Sequence, residues 1–331
     1  MLLTRGLGRK LVVTRGLAPR GTGAAASSPV AVNPVALTIG NFDGVHNGHQ
    51  AMLARLVAAA RARGVPATVL TFEPHPREFF APQSAPTRLT NVREKLELLA
   101  AHGVDRAHVQ RFSAAFAALT PEAFVERMLV GTLAARWVLV GDDFRFGAKR
   151  AGDFAFLADA ARRHGFDLEA MPTVSDGGVR VSSSAVREAL ARGELARAHA
   201  LLGRAYSISG RVVHGDKLGR ALGFATANVQ LKHNRPPLWG IFAVRVHGIG
   251  ASPRPGVASL GIRPTVHAAG KPVLEVHLFD FTGELYGAHL RVEFLAKLRD
   301  EEKYADLDTL KAQIARDCVA ARDVLRAIKR A

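Results

Sequence analysis

Thr38-Ile39-Gly40-Asn41-Phe42-Asp43-Gly44-Val45-His46-Asn47-Gly48-His49 is the stretch on which the reading of this chain turns. An apolar run ends in a glycine turn, and two histidines three residues apart then open a helical pattern. Glycines let a backbone come close to a ligand, and the unpaired N–H groups and positive end of a helix favour anions. Histidines add two donors whose charge is adjustable near neutral pH. The pattern fits a triphosphate. The i,i+3 spacing puts both rings on one helix face, which also suits a metal pair or two structural histidines. No third metal ligand is clearly placed, and the glycine turn favours phosphate.

Outward from this stretch, residues 35–202 alternate apolar runs with helical patterns. Strands are expected over 35–39, 67–72, 136–140 and 168–172, and helices over 50–63, 91–101, 121–129 and 154–164. Thr120 stands as an N-cap before Pro121. The alternation predicts an α/β domain, a parallel sheet covered by helices. Ligands of such sheets sit beyond the carboxyl ends of the strands, and both 40–49 and 141–147 follow strands directly. Two helices, 185–192 and 195–202, close the region, and Gly203 marks a stop. The texture then changes. Short strands over 207–213, 241–246, 257–262, 273–280 and 289–294, punctuated by Gly and Pro, predict an antiparallel barrel or sandwich. Apolar residues at helical spacing over 307–329 predict a C-terminal helix packed on it.

A chain of 331 residues is too long for one ordinary core and suits two domains. The expected division is a leader over 1–33, a first domain over 34–202 and a second over 203–331. The leader has no Asp or Glu, is basic, and is Gly/Ala/Ser-rich over 21–29. A transit peptide shares these features, but a short disordered leader or an upstream start codon is the preferred reading. The single cysteine, Cys318, excludes an internal disulfide and a thiolate-rich zinc site, so a reducing, cytoplasmic location is the simplest reading. No apolar stretch is long enough to span a bilayer. The net charge of +16 is compatible with nucleic acid, a membrane surface or polyanionic small substrates. Its arginines are scattered through helical patterns, without the aromatic interleaving that grips single strands.

The opening stretch resembles the His-x-Gly-His signature of the adenylyl- and cytidylyltransferase superfamily, with His46 and His49 as its histidines. Its longer form, Gly-Asn-Phe-Asp-Gly-Val-His-x-Gly-His, resembles the bacterial bifunctional riboflavin kinase/FMN adenylyltransferase (FAD synthetase) family. The resemblance implies a Rossmann-like nucleotidyltransferase domain followed by a β-barrel kinase domain. It implies catalytic roles for His46 and His49, and an ATP site at Gly40, Phe42, Asp43, His46, Gly48, His49, Ser183 and Arg187. The serine and arginine belong to Val181-Ser182-Ser183-Ser184-Ala185-Val186-Arg187, which is similar to the family's Ile-Ser-Ser-Thr-x-x-Arg; by residues alone it is ordinary serine capping. Asp43 serves the turn, the metal or the nucleotide, and the sequence does not separate these.

Thr71-Phe72-Glu73-Pro74-His75-Pro76 and Gly141-Asp142-Asp143-Phe144-Arg145-Phe146-Gly147 resemble the family's flavin-contacting segments. They imply Phe72, His75, Pro76, Asp143, Phe144 and Phe146 as flavin-binding residues; alone they are a rigid turn and a packed loop. The nucleophile of adenylyl transfer, the FMN phosphate, is ionised at pH 7, so alignment and charge neutralisation matter more than a strong base.

In the second half, the glycine-dense segment 210–228 lacks the ending of a Walker loop. It resembles the riboflavin kinase signature, with Ala225 where Gly-Phe-Pro-Thr-Ala-Asn has proline. The resemblance implies ATP and flavin contacts at Gly210, Gly215, Gly219, Arg220, Gly223, Thr226 and Asn228. Thr226 and Asn228, two apart, share one side of an extended segment, and their neutral oxygens suit Mg²⁺ once phosphates complete its shell. A riboflavin kinase needs a base for a neutral hydroxyl, and the resemblance gives that catalytic role to Glu275. The expected ligands are therefore ATP with Mg²⁺, riboflavin, FMN and FAD, with small-molecule partners, no specific nucleic acid, no membrane and an open oligomeric state. The rivals are a single-activity nucleotidyltransferase with a degenerate barrel and a basic nucleic-acid-binding protein.

Overall fold

Every residue of Val35–Ile39 is buried, as a strand covered on both faces must be. The structure, a computed structural model, describes residues 2–3, 11–17, 33–215, 223–232, 235–263 and 271–330. The chain divides into two compact units, Met1–Pro86 with Val92–Val181, and Thr87–Asn91 with Ser182–Ala331.

The first unit runs β1 (Leu2–Leu3), β2 (Leu11–Thr14), β3 (Val35–Ile39), α1 (Asn47–Arg63), β4 (Ala67–Glu73), α2 (Pro76–Phe80), α3 (Val92–Ala101) and β5 (Arg106–Arg111). It continues with α4 (Ala114–Ala117), α5 (Pro121–Phe124), β6 (Ala135–Gly141), α6 (Phe154–His164), β7 (Asp167–Met171) and the small pair β8 (Ser175–Asp176) and β9 (Val179–Arg180). The sheet order is β1-β2-β5-β4-β3-β6-β7, parallel throughout except for β1 against β2. From β3 the sheet grows towards β4 and β5 on one side and towards β6 and β7 on the other. The crevice beyond the carboxyl end of β3 is thus the topological switch point.

Two departures from the sequence reading have physical causes. The leader was expected to be disordered, yet Leu11–Thr14 is a strand. It pairs with β5 through Val12↔Arg106 and Thr14↔His108, and Thr14 Oγ1 lies 2.9 Å from His108 Nδ1. The apolar, β-branched run Leu-Val-Val-Thr is masked by the basic composition around it; residues 4–10 and 18–32 lie outside the described residues. The expected helix 121–129 begins as α5 and continues as a π-helical stretch, Val125–Thr132. Thr120 caps α5 as expected, accepting from the Ala123 N–H.

The second unit runs α7 (Ser183–Ala191), α8 (Leu195–Leu202), β10 (Tyr206–Val213), β11 (Thr226–Val229), β12 (Gly240–His247), β13 (Arg254–Arg263), β14 (Lys271–Leu278), β15 (His289–Arg299) and α9 (Leu307–Arg330). The strands close into an antiparallel barrel in the order β10-β11-β14-β13-β12-β15. Its interior is filled by the alternate residues Leu274 and Val276, Phe242 and Val244, and Val292 and Phe294. The terminal helix α9 covers part of the outer face, where Ala321 packs among Ile241, Ala243, Val257 and Phe279.

A bidentate ion pair fixes α9 to the barrel. Arg299 Nε and Nη2 donate to the two Asp317 oxygens at 2.9 and 2.7 Å, and Gln313 Nε2 donates to Asp317 Oδ1 at 2.9 Å. The Asp317 side chain is only 8% exposed. Removing one partner of a buried pair strands the other charge, so Asp317→Ala is expected to cost about 3 kcal/mol. Urea unfolding followed by circular dichroism measures it; a loss near zero would show that α9 is held by its apolar face alone.

Candidate functional site

The turn after β3 is held in backbone conformations that side chains rarely adopt. Phe42, Gly44 and Val45 have φ of 49°, 80° and 42°. For a β-branched residue such as Val45 this is strained by about 1–3 kcal/mol. Full burial of the Phe42 and Val45 side chains in the core beneath offsets it. The turn delivers His46 as the N-cap of α1, where its Nδ1 accepts from the His49 N–H at 3.3 Å. The His46 and His49 rings stack with centroids 3.7 Å apart at 18°, and Phe42 lies 4.9 Å from His49. Space is tight at Gly48. A Cβ on it would stand 3.3 Å from the His46 ring.

His49 Nδ1 is shut off from solvent without a hydrogen-bond partner. Burial, then the neighbouring His46, then the Lys95 cation push the His49 pKa well below its ordinary value. The ring is therefore neutral at pH 7 in the free protein and gains a proton only in acid. Lys95 carries no signal in the sequence reading. Lying on the buried face of α3 beside Leu96 and Leu99, it donates from Nζ to Thr71 Oγ1 at 3.3 Å. Thr71 Oγ1 in turn donates to the Asn41 carbonyl at 3.2 Å. Among the described residues no group of three or more His, Cys, Asp or Glu could hold a metal, so the histidine pair lacks a third ligand of these kinds.

Two further loops leave the same edge of the sheet. After β4, His75 caps α2: its Nδ1 accepts from the Arg77 N–H, and Glu78 accepts from the His75 N–H. Pro76 opens that helix. Phe72 contacts Phe112 and Phe116 at 5.9 and 5.8 Å. The rings of Phe79 and Phe80, which the sequence reading passed over, lie 5.5 and 5.6 Å from Phe112, and Phe80 is 67% exposed. After β6, Asp143 pairs with Arg180 at 2.6 Å, and Phe144 stacks on Phe146 at 5.4 Å. Phe146 lies deeper than Phe144. It is buried in the core against Phe124 and Phe156, and its backbone bridges to Gly152. The ring supports the loop, leaving Phe144 as its partly exposed aromatic face.

In the second unit, Ser182 rather than Ser183 caps α7, accepting from the Ala185 N–H, and Arg187 Nε donates to the Thr87 carbonyl at 2.5 Å. On the barrel, Thr226 and Asn228 alternate with the buried Ala227 and Val229, so both point outward. The register places Asn228 opposite Glu275 and Thr226 opposite His277. Hydroxyl, amide and carboxylate thus stand side by side on one outer face. His277 Nδ1 lies 2.9 Å from the Ala225 carbonyl, and Phe224 packs on the His277 ring edge at 5.6 Å. Gly215 crosses close to this face. A Cβ there would stand 2.3 Å from the Asn228 amide nitrogen. Gly210 lies within β10, Gly223 shortly before β11, and the His214 ring lies against Tyr286, centroids 3.9 Å apart and tilted by 30°. Gly219 and Arg220 lie outside the described residues.

A parallel sheet with paired histidines at its switch point, and a closed barrel carrying hydroxyl, amide and carboxylate in register, define a two-domain transferase built for phosphate esters. The FAD synthetase family model matches residues 29–185, and the riboflavin kinase family model matches residues 202–325. Relatives named bifunctional riboflavin kinase/FMN adenylyltransferase are similar over most of their length. That of Escherichia coli K12 is 53% identical, covering 87% of this chain and 91% of its own. That of Pseudomonas fluorescens is 51% identical, covering 86% and 91%. A crystal structure of a macrolide-efflux protein from Streptococcus pneumoniae is 29% identical with a TM-score of 0.73, covering 86% of this chain and 92% of that one. No helix among the described residues is long and apolar enough to cross a membrane. The chain belongs to the bifunctional riboflavin kinase/FMN adenylyltransferase family.

Proposed function

We propose that the chain carries out two consecutive reactions, riboflavin plus ATP to FMN plus ADP on the barrel, then FMN plus ATP to FAD plus diphosphate on the parallel-sheet domain. The observation that carries the reading is the pairing of two chemistries in one chain: the stacked His46–His49 turn at a sheet's switch point and the Asn228–Glu275 register on a closed barrel.

In the first reaction Glu275 takes the proton from the terminal ribityl hydroxyl. That oxygen bonds to the γ-phosphorus, and the bond to the bridging oxygen breaks, releasing ADP. Thr226 and Asn228 offer an all-oxygen donor set next to that carboxylate, which fits Mg²⁺ arriving with the phosphates of ATP. When bound, Mg²⁺ supplies neutralisation of phosphate charge.

In the second reaction a phosphate oxygen of FMN bonds to the α-phosphorus of ATP and diphosphate leaves. No base is needed. His46, His49 and the backbone N–H groups of the turn orient the phosphates, and Ser183 and Arg187 are assigned to ATP as well. Phe72 and Phe144, with the exposed rings of Phe79 and Phe80, supply apolar surface for the flavin; His75, Pro76 and Asp143 shape the loops that present it. A cytoplasmic location fits ATP and flavin substrates. Several of the arginines, Arg55, Arg61 and Arg322 among them, are neutralised in surface ion pairs with Glu169, Asp105 and Asp280.

Incubation of the full chain with riboflavin, ATP and Mg²⁺, followed by chromatography of the flavins, tests the reading. FMN is expected first and FAD after it. FMN that never proceeds to FAD, or FAD formed only from added FMN, would reduce the chain to one activity.

A further inference from the structure

Lys95 occupies a position where an aliphatic residue would be expected. It is 4% exposed, on the face of α3 that also buries Leu96 and Leu99. A buried ammonium is expensive unless neighbouring groups hold it. Here its Nζ reaches Thr71 at the end of β4, and through the Thr71 hydroxyl the Asn41 carbonyl in the glycine turn. It therefore lies behind the turn that carries the two histidines, at the carboxyl edge of the sheet where ligands bind.

We propose that Lys95 is a positioning residue of the adenylyltransferase site: its ammonium braces the turn through Thr71 and Asn41 and supplies, behind the histidine pair, the fixed positive charge that acts on the ATP phosphates. The proposal rests on the adenylyltransferase reading above. It divides labour within the site. Two imidazoles stacked at 3.7 Å cannot both be protonated cheaply. The charged groups acting on His49 are His46 from its own turn and Lys95 from α3, and both disfavour its protonation. His49 then serves as a neutral hydrogen-bonding group, while the Lys95 ammonium attracts the nucleotide.

The test compares wild type, Lys95→Gln and Lys95→Arg as full chains, assayed for FMN-to-FAD conversion with riboflavin phosphorylation run alongside. Lys95→Gln is expected to raise the KM for ATP about tenfold, the loss of one charge-assisted interaction. It is also expected to move the ionisation that His49 contributes to the pH profile of kcat/KM upward, because a neighbouring cation has gone. His49→Asn identifies that ionisation by abolishing it. Lys95→Arg keeps the charge and is expected to keep the wild-type ionisation. A Lys95→Gln profile that coincides with wild type, or Gln and Arg variants that behave alike, would overturn the proposal. Where Lys95→Gln does not accumulate as folded protein, Lys95→Arg decides. An unmoved ionisation supports the proposal, and a displaced one overturns it. Failure of the wild-type chain to convert FMN to FAD would instead sink the adenylyltransferase reading itself.

Discussion

Glu275→Gln is expected to abolish FMN formation from riboflavin, by about 10²–10⁴-fold in kcat, while the same protein still converts added FMN to FAD. Glutamine keeps the size of the side chain and its place opposite Asn228 in the register of β14 against β11. It removes the only property the reaction asks of that position, a carboxylate able to accept a proton from a neutral hydroxyl. The two halves need different chemistry. An alkoxide must be generated in one, whereas the nucleophile of the other is an anion already. A single substitution should therefore split the activities. Flavin chromatography of two parallel reactions, one started with riboflavin and one with FMN, reads both. If the first reaction survives at more than about a tenth of its wild-type rate, proton transfer to Glu275 is not the barrier and another group serves as base. Loss of both reactions would show that the substitution had damaged more than the barrel's outer face.

How much of this was legible beforehand differs between elements, and the reasons are physical. The strands β3, β4 and β6 were found because strands buried on both faces are nearly continuous apolar runs. The barrel strands other than β11 were found because turn residues punctuate them. β5 was not foreseen. Its sequence, Arg-Ala-His-Val-Gln-Arg, buries His108 and Gln110, and period-2 reasoning treats polar residues as outward-facing. Lys95 was missed for the same cause, since a helical pattern scores a lysine as solvated. β2 was missed because a four-residue strand is outvoted by the composition around it. Phe146 shows the converse limit, a burial the sequence did not announce. An aromatic in a glycine-bounded loop looks available to a ligand, but nothing in the sequence says that Phe124 and Phe156 pack against it. Contacts distant along the chain are what local pattern cannot supply. The roles proposed for Glu275, Thr226 and Asn228 come from resemblance, and their adjacency only from strand register.

His46→Ala is expected to do the reverse of Glu275→Gln, lowering adenylyl transfer by about 10²–10³-fold, the loss typical of removing one preorganised donor to developing charge, and leaving riboflavin phosphorylation intact. The substitution has a second effect that must be separated from the first. His46 is also the N-cap of α1, and loss of a cap costs about 0.5–2 kcal/mol of stability. The stacked partner of His49 goes with it, and the strained turn at Phe42 and Val45 loses a clamp. His46→Asn resolves the two contributions. Asparagine is among the best N-cap residues and can accept from the His49 N–H as the imidazole does, but it has no aromatic ring to place over Gly48 and no imidazole to offer a phosphate. If the imidazole acts on the nucleotide, His46→Asn recovers thermal stability and not adenylyl transfer. If His46 serves only to start the helix, His46→Asn recovers both, and the histidine pair loses its claim to the phosphates. Thermal melts of the three proteins, set beside FMN-to-FAD rates at saturating ATP, distinguish the outcomes. A rate that tracks the melting temperature across the series would make the cap, rather than the imidazole, the reason for histidine at this position.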